Sequence, residues 1–153
     1  GSVLEEGPLE RPEVSFPTQA LWFHPPEAVP AFQIPGGIHA LEHAMIGLLP
    51  LFVLAERQDV GGISYPFYPR PLPSPGGPTV FIYDGYPGGV GYARRAARRF
   101  PEWLKATLDL LRSCPCEEGC PRCVLSPKCG NGNQYLDKKA ALALALALAH
   151  PLD

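Results

Sequence analysis

Residues 79–100, TVFIYDGYPGGVGYARRAARRF, set the fold class of this chain. TVFIYD is β-branched and aromatic and is bounded by Pro78 and Gly85, which predicts a strand over 79–84. The glycine-rich GYPGGVG then leads into a helix over about 90–100. A second helix is expected from Pro101, a favourable first helical residue, to Ser113. Upstream, TQALWFH (18–24) reads as a short strand that stops at Pro25-Pro26. IHALEHAMIGLLPLFVLAE (38–56) is too long and too continuously apolar for a strand, so it reads as a buried helix kinked near Pro50. DVGG (59–62) reads as a turn, and ISYPFY (63–68) as an edge strand, because Pro66 is excluded from a central one. The Ala/Leu alternation after Asp137 mimics a strand pattern, but these residues are the strongest helix formers, so KKAALALALALAH is expected to be a helix. Asp137 is its expected N-cap, and its wide leucine face needs a partner. The expected class is α+β: a small antiparallel sheet packed with helices, a cysteine-rich zinc loop and a C-terminal helix.

With 153 residues the chain is long enough for one core. Residues 1–17 are acidic and proline-punctuated and read as an extended arm or linker; the domain proper is expected over 18–153, with the zinc loop at 113–135. The Gly1-Ser2 start reads as a protease-cleavage scar, so a longer parent protein is expected. No apolar run reaches the ~18 residues that span a bilayer, and a reducing, cytoplasmic compartment is expected from cysteine usage. The net charge of −2 conceals an asymmetry. Residues 1–89 carry nine acids against three arginines, whereas 90–153 carry ten Lys/Arg against six acids. An anionic partner should therefore meet the C-terminal half.

All five cysteines lie in 114–129, in the pattern C-x-C-x3-C-x2-C-x5-C. An odd number so closely spaced argues for a metal rather than disulfides. Cys120-Pro-Arg-Cys123 has zinc-knuckle spacing, and Cys114-Pro-Cys116 can supply two more thiolates. The favoured set is Cys114, Cys116, Cys120 and Cys123; the rival exchanges Cys129 for Cys114 or Cys116. Four thiolates close a tetrahedron and leave no position for water, so the zinc is expected to be structural. An iron–sulfur cluster is the competing occupant.

Three other features could carry chemistry. HALEH (39–43) places His39 and His43 at i, i+4 with Glu42 between them, the inverted order of some zinc proteases. With Asp84 they form a candidate second polar site, weighed against hydrogen-bonded core residues. The glycine loop after Asp84 lacks a phosphate-binding lysine pattern, so a sharp turn is preferred. YARRAARRF aligns Arg94 with Arg98 and Arg95 with Arg99 in one basic stripe. With Arg122 these are candidate phosphate contacts, weighed against a solvated face.

Taken together, HALEHAMIGLLPL, DVGG, FIYDGYPGGVG and CPCEEGCPRCVLSPKCGNGNQYLDKKAAL, in that order, resemble the C-terminal zinc-binding (MZB) domain of mitomycin-repair-type superfamily 2 DNA helicases. The resemblance runs from about residue 18 through the last helix. It implies zinc on Cys114, Cys116, Cys120 and Cys123. It also implies an upstream ATP-driven motor as partner, DNA (single-stranded) as the nucleic acid, and a role in DNA repair. This chain lacks the motor's own motifs, so no ATPase activity is expected of it, and neither a membrane nor a small-molecule substrate is expected as partner. Two further readings are a hydrolase-like site at His39, Glu42, His43 and Asp84, and a module that only docks onto protein.

Overall fold

The computed structural model describes residues 2–10, 15–56, 59–72, 76–116, 123–124 and 136–150. Four strands, β1 (Ser2–Glu10), β2 (Ser15–Phe23), β3 (Val60–Pro69) and β4 (Gly76–Asp84), form one antiparallel sheet in the order β1-β2-β4-β3. Helices α1 (Ile34–Leu48), α2 (Tyr92–Arg98), α3 (Phe100–Ser113) and α4 (Lys138–Ala149) complete the α+β architecture. None of the described helices is long and apolar enough to cross a membrane.

β4 is central because both of its faces are apolar. Strand side chains alternate between faces, and the register aligns Leu21 with Ile82 and Phe23 with Val80 on the inner face, all fully buried. Trp22 pairs with Phe81 on the outer face, where Tyr65 and Tyr68 close on the Phe81 ring with centroids at 5.9 and 4.9 Å. β3 lies at the sheet edge, as Pro66 requires, and its register with β4 shifts between Tyr65 and Tyr68, the interval that contains Pro66. The strand also takes in Val60-Gly61-Gly62, expected to be a turn. Gly62 is used for close approach: a Cβ there would meet Ile46 Cδ1 at 2.6 Å and the Glu42 carboxylate at 2.8 Å. The arm expected over 1–17 is extended over Ser2–Glu10, and that segment pairs with β2 as the other edge strand.

α1 is the hub of the fold. Ile38, Leu41, Ala44 and Met45 are fully buried, and the helix contacts β3 and β4 on one side and α3 and α4 on the other. It ends at Leu48, earlier than its apolar run; Pro50, which lacks a backbone N–H, falls in a single 3-10 turn over Leu49–Leu51. Trp103 of α3 is fully buried and its indole Nε1–H donates to the Met45 carbonyl at 2.7 Å. α4 satisfies the expectation from its composition. Asp137 caps it, its Oδ1 accepting from the Ala140 N–H at 2.9 Å, and the Asp137 N–H in turn donates to the Gly36 carbonyl at 3.0 Å. Its buried face, Ala140, Ala141, Leu144 and Ala145, packs on α1 and α3, while Leu142, Leu146 and Leu148 of the expected leucine face are only partly buried. The crossing is close because position 37 is glycine: a Cβ there would lie 2.8 Å from Leu144 Cδ1 and 2.9 Å from Ala140 Cβ.

Candidate metal centre

α3 delivers the first candidate ligand. Its last turn is capped by Cys114, whose N–H donates to the Leu110 carbonyl at 2.9 Å while its own backbone turns extended, with φ −67° and ψ 122°. Pro115 then spaces Cys116 two residues on, and Cys123 lies beside them. The sulfurs of Cys114 and Cys116 lie 3.5 Å apart and those of Cys116 and Cys123 3.4 Å apart. All three lie within 4.8 Å of one another, with Cys114 and Cys123 buried. A zinc tetrahedron with Zn–S of about 2.3 Å sets its sulfurs roughly 3.8 Å apart. The three thiols therefore fit one face of such a site, and the ion's role there would be to cross-link the end of α3 to the Cys123 turn. Cys120, Cys129 and Arg122 lie outside the described residues.

Two side chains tie this face to the rest of the molecule. His43 of α1, 7% exposed, donates from Nδ1 to the Val124 carbonyl at 2.6 Å, which fixes its tautomer and holds the residue next to Cys123 against the core. Lys138, the first residue of α4, places Nζ 2.9 Å from the Cys114 carbonyl, 2.6 Å from the Cys116 carbonyl and 3.0 Å from Cys116 Sγ. Burial works against its charge. The hydrogen bond to Cys116 and the charges of Cys116, Cys123 and Cys114 outweigh that penalty and hold the ammonium above the usual lysine range. Composition and spacing did not single out Lys138 as part of the metal site. The available signal was its position, a cation in the first turn of a helix, against the helix dipole.

The other candidates are placed as follows. His39 and His43 share a face of α1, with ring centroids 4.4 Å apart and edge-to-face. Glu42, also buried, faces Gly62 of β3. Asp84 belongs to a different network: it is fully buried, Oδ2 accepts from the N–H groups of Val90 and Gly91 at 2.7 and 2.8 Å, and Oδ1 accepts from Ala93 N–H at 2.7 Å. The carboxylate thus closes the glycine loop and caps α2, which is why GYPGGVG turns so sharply. Among the described residues, the three cysteines are the only group of three or more His, Cys, Asp or Glu side chains close enough to share a metal. Arg94, Arg95, Arg98 and Arg99 are all exposed along α2 and its end. Arg95 lies over the Tyr92 ring at 5.4 Å, and Arg99 lies over Phe52 at 5.3 Å with Glu102 at 3.7 Å.

The sequence profile of the MrfA Zn-binding (MZB) domain matches residues 41–124, from the middle of α1 to the turn after Cys123. The chain belongs to this MZB family. Zinc is accordingly its metal, and the three converging thiols are donors suited to that ion. The MZB chain is 37% identical over 107 residues to protein MJ1572.1 of Methanocaldococcus jannaschii, covering 70% of this chain and 95% of that protein. It is 32% identical over 128 residues to the ATP-dependent helicase YprA of Bacillus subtilis, covering 79% of this chain but 16% of YprA. A crystal structure of the DUF1998 helicase MrfA bound to DNA superposes with a TM-score of 0.68 at 28% identity, over 93% of this chain and 18% of MrfA. The MZB chain thus matches nearly the whole of one small relative and about a sixth of the helicases.

Proposed function

We propose that this MZB domain is a non-catalytic, zinc-stabilised accessory module of an ATP-dependent superfamily 2 DNA helicase acting in DNA repair in the cytoplasm. The domain proper spans 18–153, extended at its sheet edge by the Ser2–Glu10 strand, and it serves the motor domains of the same protein. Zinc is held by Cys114, Cys116, Cys120 and Cys123. The observation that carries the reading is the convergence of three thiols at the end of α3, in a domain whose relatives include helicases and a helicase crystallised with DNA. The exposed arginines of α2 supply the phosphate contacts, with single-stranded DNA as ligand.

Two measurements test this. Metal analysis of the purified chain should give one zinc, retained by Cys129→Ser and lost by Cys120→Ser; zinc lost from Cys129→Ser as well brings Cys129 into the set in place of Cys114 or Cys116. Anisotropy titrations with a labelled single strand should show salt-dependent binding. Replacing Arg94, Arg95, Arg98 and Arg99 together by Ala removes up to four phosphate contacts, which lowers the log–log salt slope by about 3. Wild-type chain that binds no DNA at low salt refutes the DNA part and leaves the zinc assignment intact.

A further inference from the structure

Lys138 is out of place by every surface rule. It is 7% exposed, whereas its neighbour Lys139 is exposed, and lysines are almost never buried without a partner. An ammonium has three N–H donors, and Nζ of Lys138 meets three acceptors: the carbonyls of Cys114 and Cys116 and the sulfur of Cys116. Two of these bonds set the backbone of the Cys114-Pro115-Cys116 segment, so that both sulfurs face the same point. The third acts directly on a ligand atom.

We propose that Lys138 is a positioning residue for the metal: it fixes the Cys114/Cys116 pair, stabilises the Cys116 thiolate and offsets part of the negative charge that a thiolate-bound zinc carries. Four thiolates around a dication leave a net charge of −2, and a buried ammonium in hydrogen-bond contact reduces it. An outer partner that orients a ligand and hydrogen-bonds its sulfur helps the site keep its metal against competing chelators. The same contact fixes the start of α4, because Lys138 follows directly on the Asp137 cap. This assignment rests on the reading that these cysteines hold zinc.

The test uses the zinc-loaded chain and Lys138→Met, Lys138→Arg and Lys139→Met. Zinc affinity is measured by competition with a chromophoric chelator. In cobalt(II)-substituted protein, the sulfur-to-metal charge-transfer band reports on the thiolates themselves. Loss of an outer hydrogen-bond partner typically weakens metal binding about 10- to 100-fold; Lys138→Met should fall in that range and move the band to longer wavelength. Lys138→Arg should retain more zinc than Lys138→Met and still move the band, and Lys139→Met should match wild type. Lys138→Met with unchanged affinity and an unmoved band overturns the assignment. If Lys138→Met does not fold, Lys138→Arg decides: a folded protein with an unmoved band overturns the assignment, and a moved band supports it. Wild-type chain that binds no zinc refutes the underlying metal reading instead.

Discussion

Asp84→Asn changes one oxygen to nitrogen, yet it should be among the most destabilising single substitutions in this domain. The wild-type carboxylate, fully buried, accepts from three backbone N–H groups, two on Oδ2 and one on Oδ1. An asparagine has one acceptor oxygen. Its better rotamer keeps Val90 and Gly91 and turns its amide N–H₂ toward the N–H of Ala93, a fully buried residue. An unsatisfied buried donor costs about 1–3 kcal/mol, and the two remaining bonds drop from charge-assisted to neutral strength, roughly 1 kcal/mol each. The sum is about 3–5 kcal/mol. Asp84→Ala should cost at least as much, although Val90, half exposed, can recruit water. Urea unfolding of the zinc-loaded chain followed by circular dichroism measures it. With a slope of about 1–3 kcal/mol/M, the midpoint should fall by more than 1 M, and zinc content should stay at wild-type level because Asp84 lies in a network separate from the thiols. A loss below about 1 kcal/mol refutes the capping account. So does an Asp84→Asn protein of normal stability that has lost its metal, which would return Asp84 to the metal chemistry.

Gly37→Ala gains helix propensity of up to about 1 kcal/mol but drives a methyl against Leu144 and Ala140. Overpacking of about 1–3 kcal/mol should win, read as a lowered melting temperature and relieved by Leu144→Ala in the double mutant. His24, held below the usual histidine range by burial and by the Arg70 charge, favours its neutral form in the folded chain. The unfolded chain therefore takes up the proton first, so this contribution is complete above about pH 6.5 and fades as pH falls below it. His24→Gln should flatten the urea midpoint between pH 7.5 and 5.5, and an unchanged pH profile would contradict the assignment. His43→Ala removes the donor to the Val124 carbonyl and should cost about 1–3 kcal/mol together with a faster zinc exchange, measured by chelator competition.

Much of the fold is legible because its elements are short and locally punctuated. TVFIYD, the Pro101 helix start, the Asp137 cap and the edge placement forced by Pro66 each rest on a residue whose backbone chemistry admits few alternatives. The N-terminal strand was not legible: its nine residues, broken by Glu5-Glu6 and Pro8, carry no alternation, and β1 forms because β2 offers a paired edge. Gly61-Gly62 reads as a turn locally but is strand, because glycine is what lets β3 approach Glu42. At the metal centre, spacing identifies the thiols, since C-x-C and C-x2-C are local signals. Lys138, twenty-two residues downstream of Cys116, is joined to them only by the way α4 folds back on α1. Similarly, Asp84 is conspicuous in the sequence, but its role as a cap depends on a loop that closes over it.

The His43–Val124 bond makes the metal loop and the hydrophobic core one cooperative unit. His43 lies midway along the helix at the centre of the core, and its partner is the carbonyl next to a candidate ligand. If the Cys123 turn detaches, a buried imidazole N–H is left without an acceptor on α1 itself. The loop therefore cannot open at low cost while the core stays intact. Hydrogen exchange should then show the amides of α1 and those around Cys123 opening together, with one shared free energy that rises with zinc concentration.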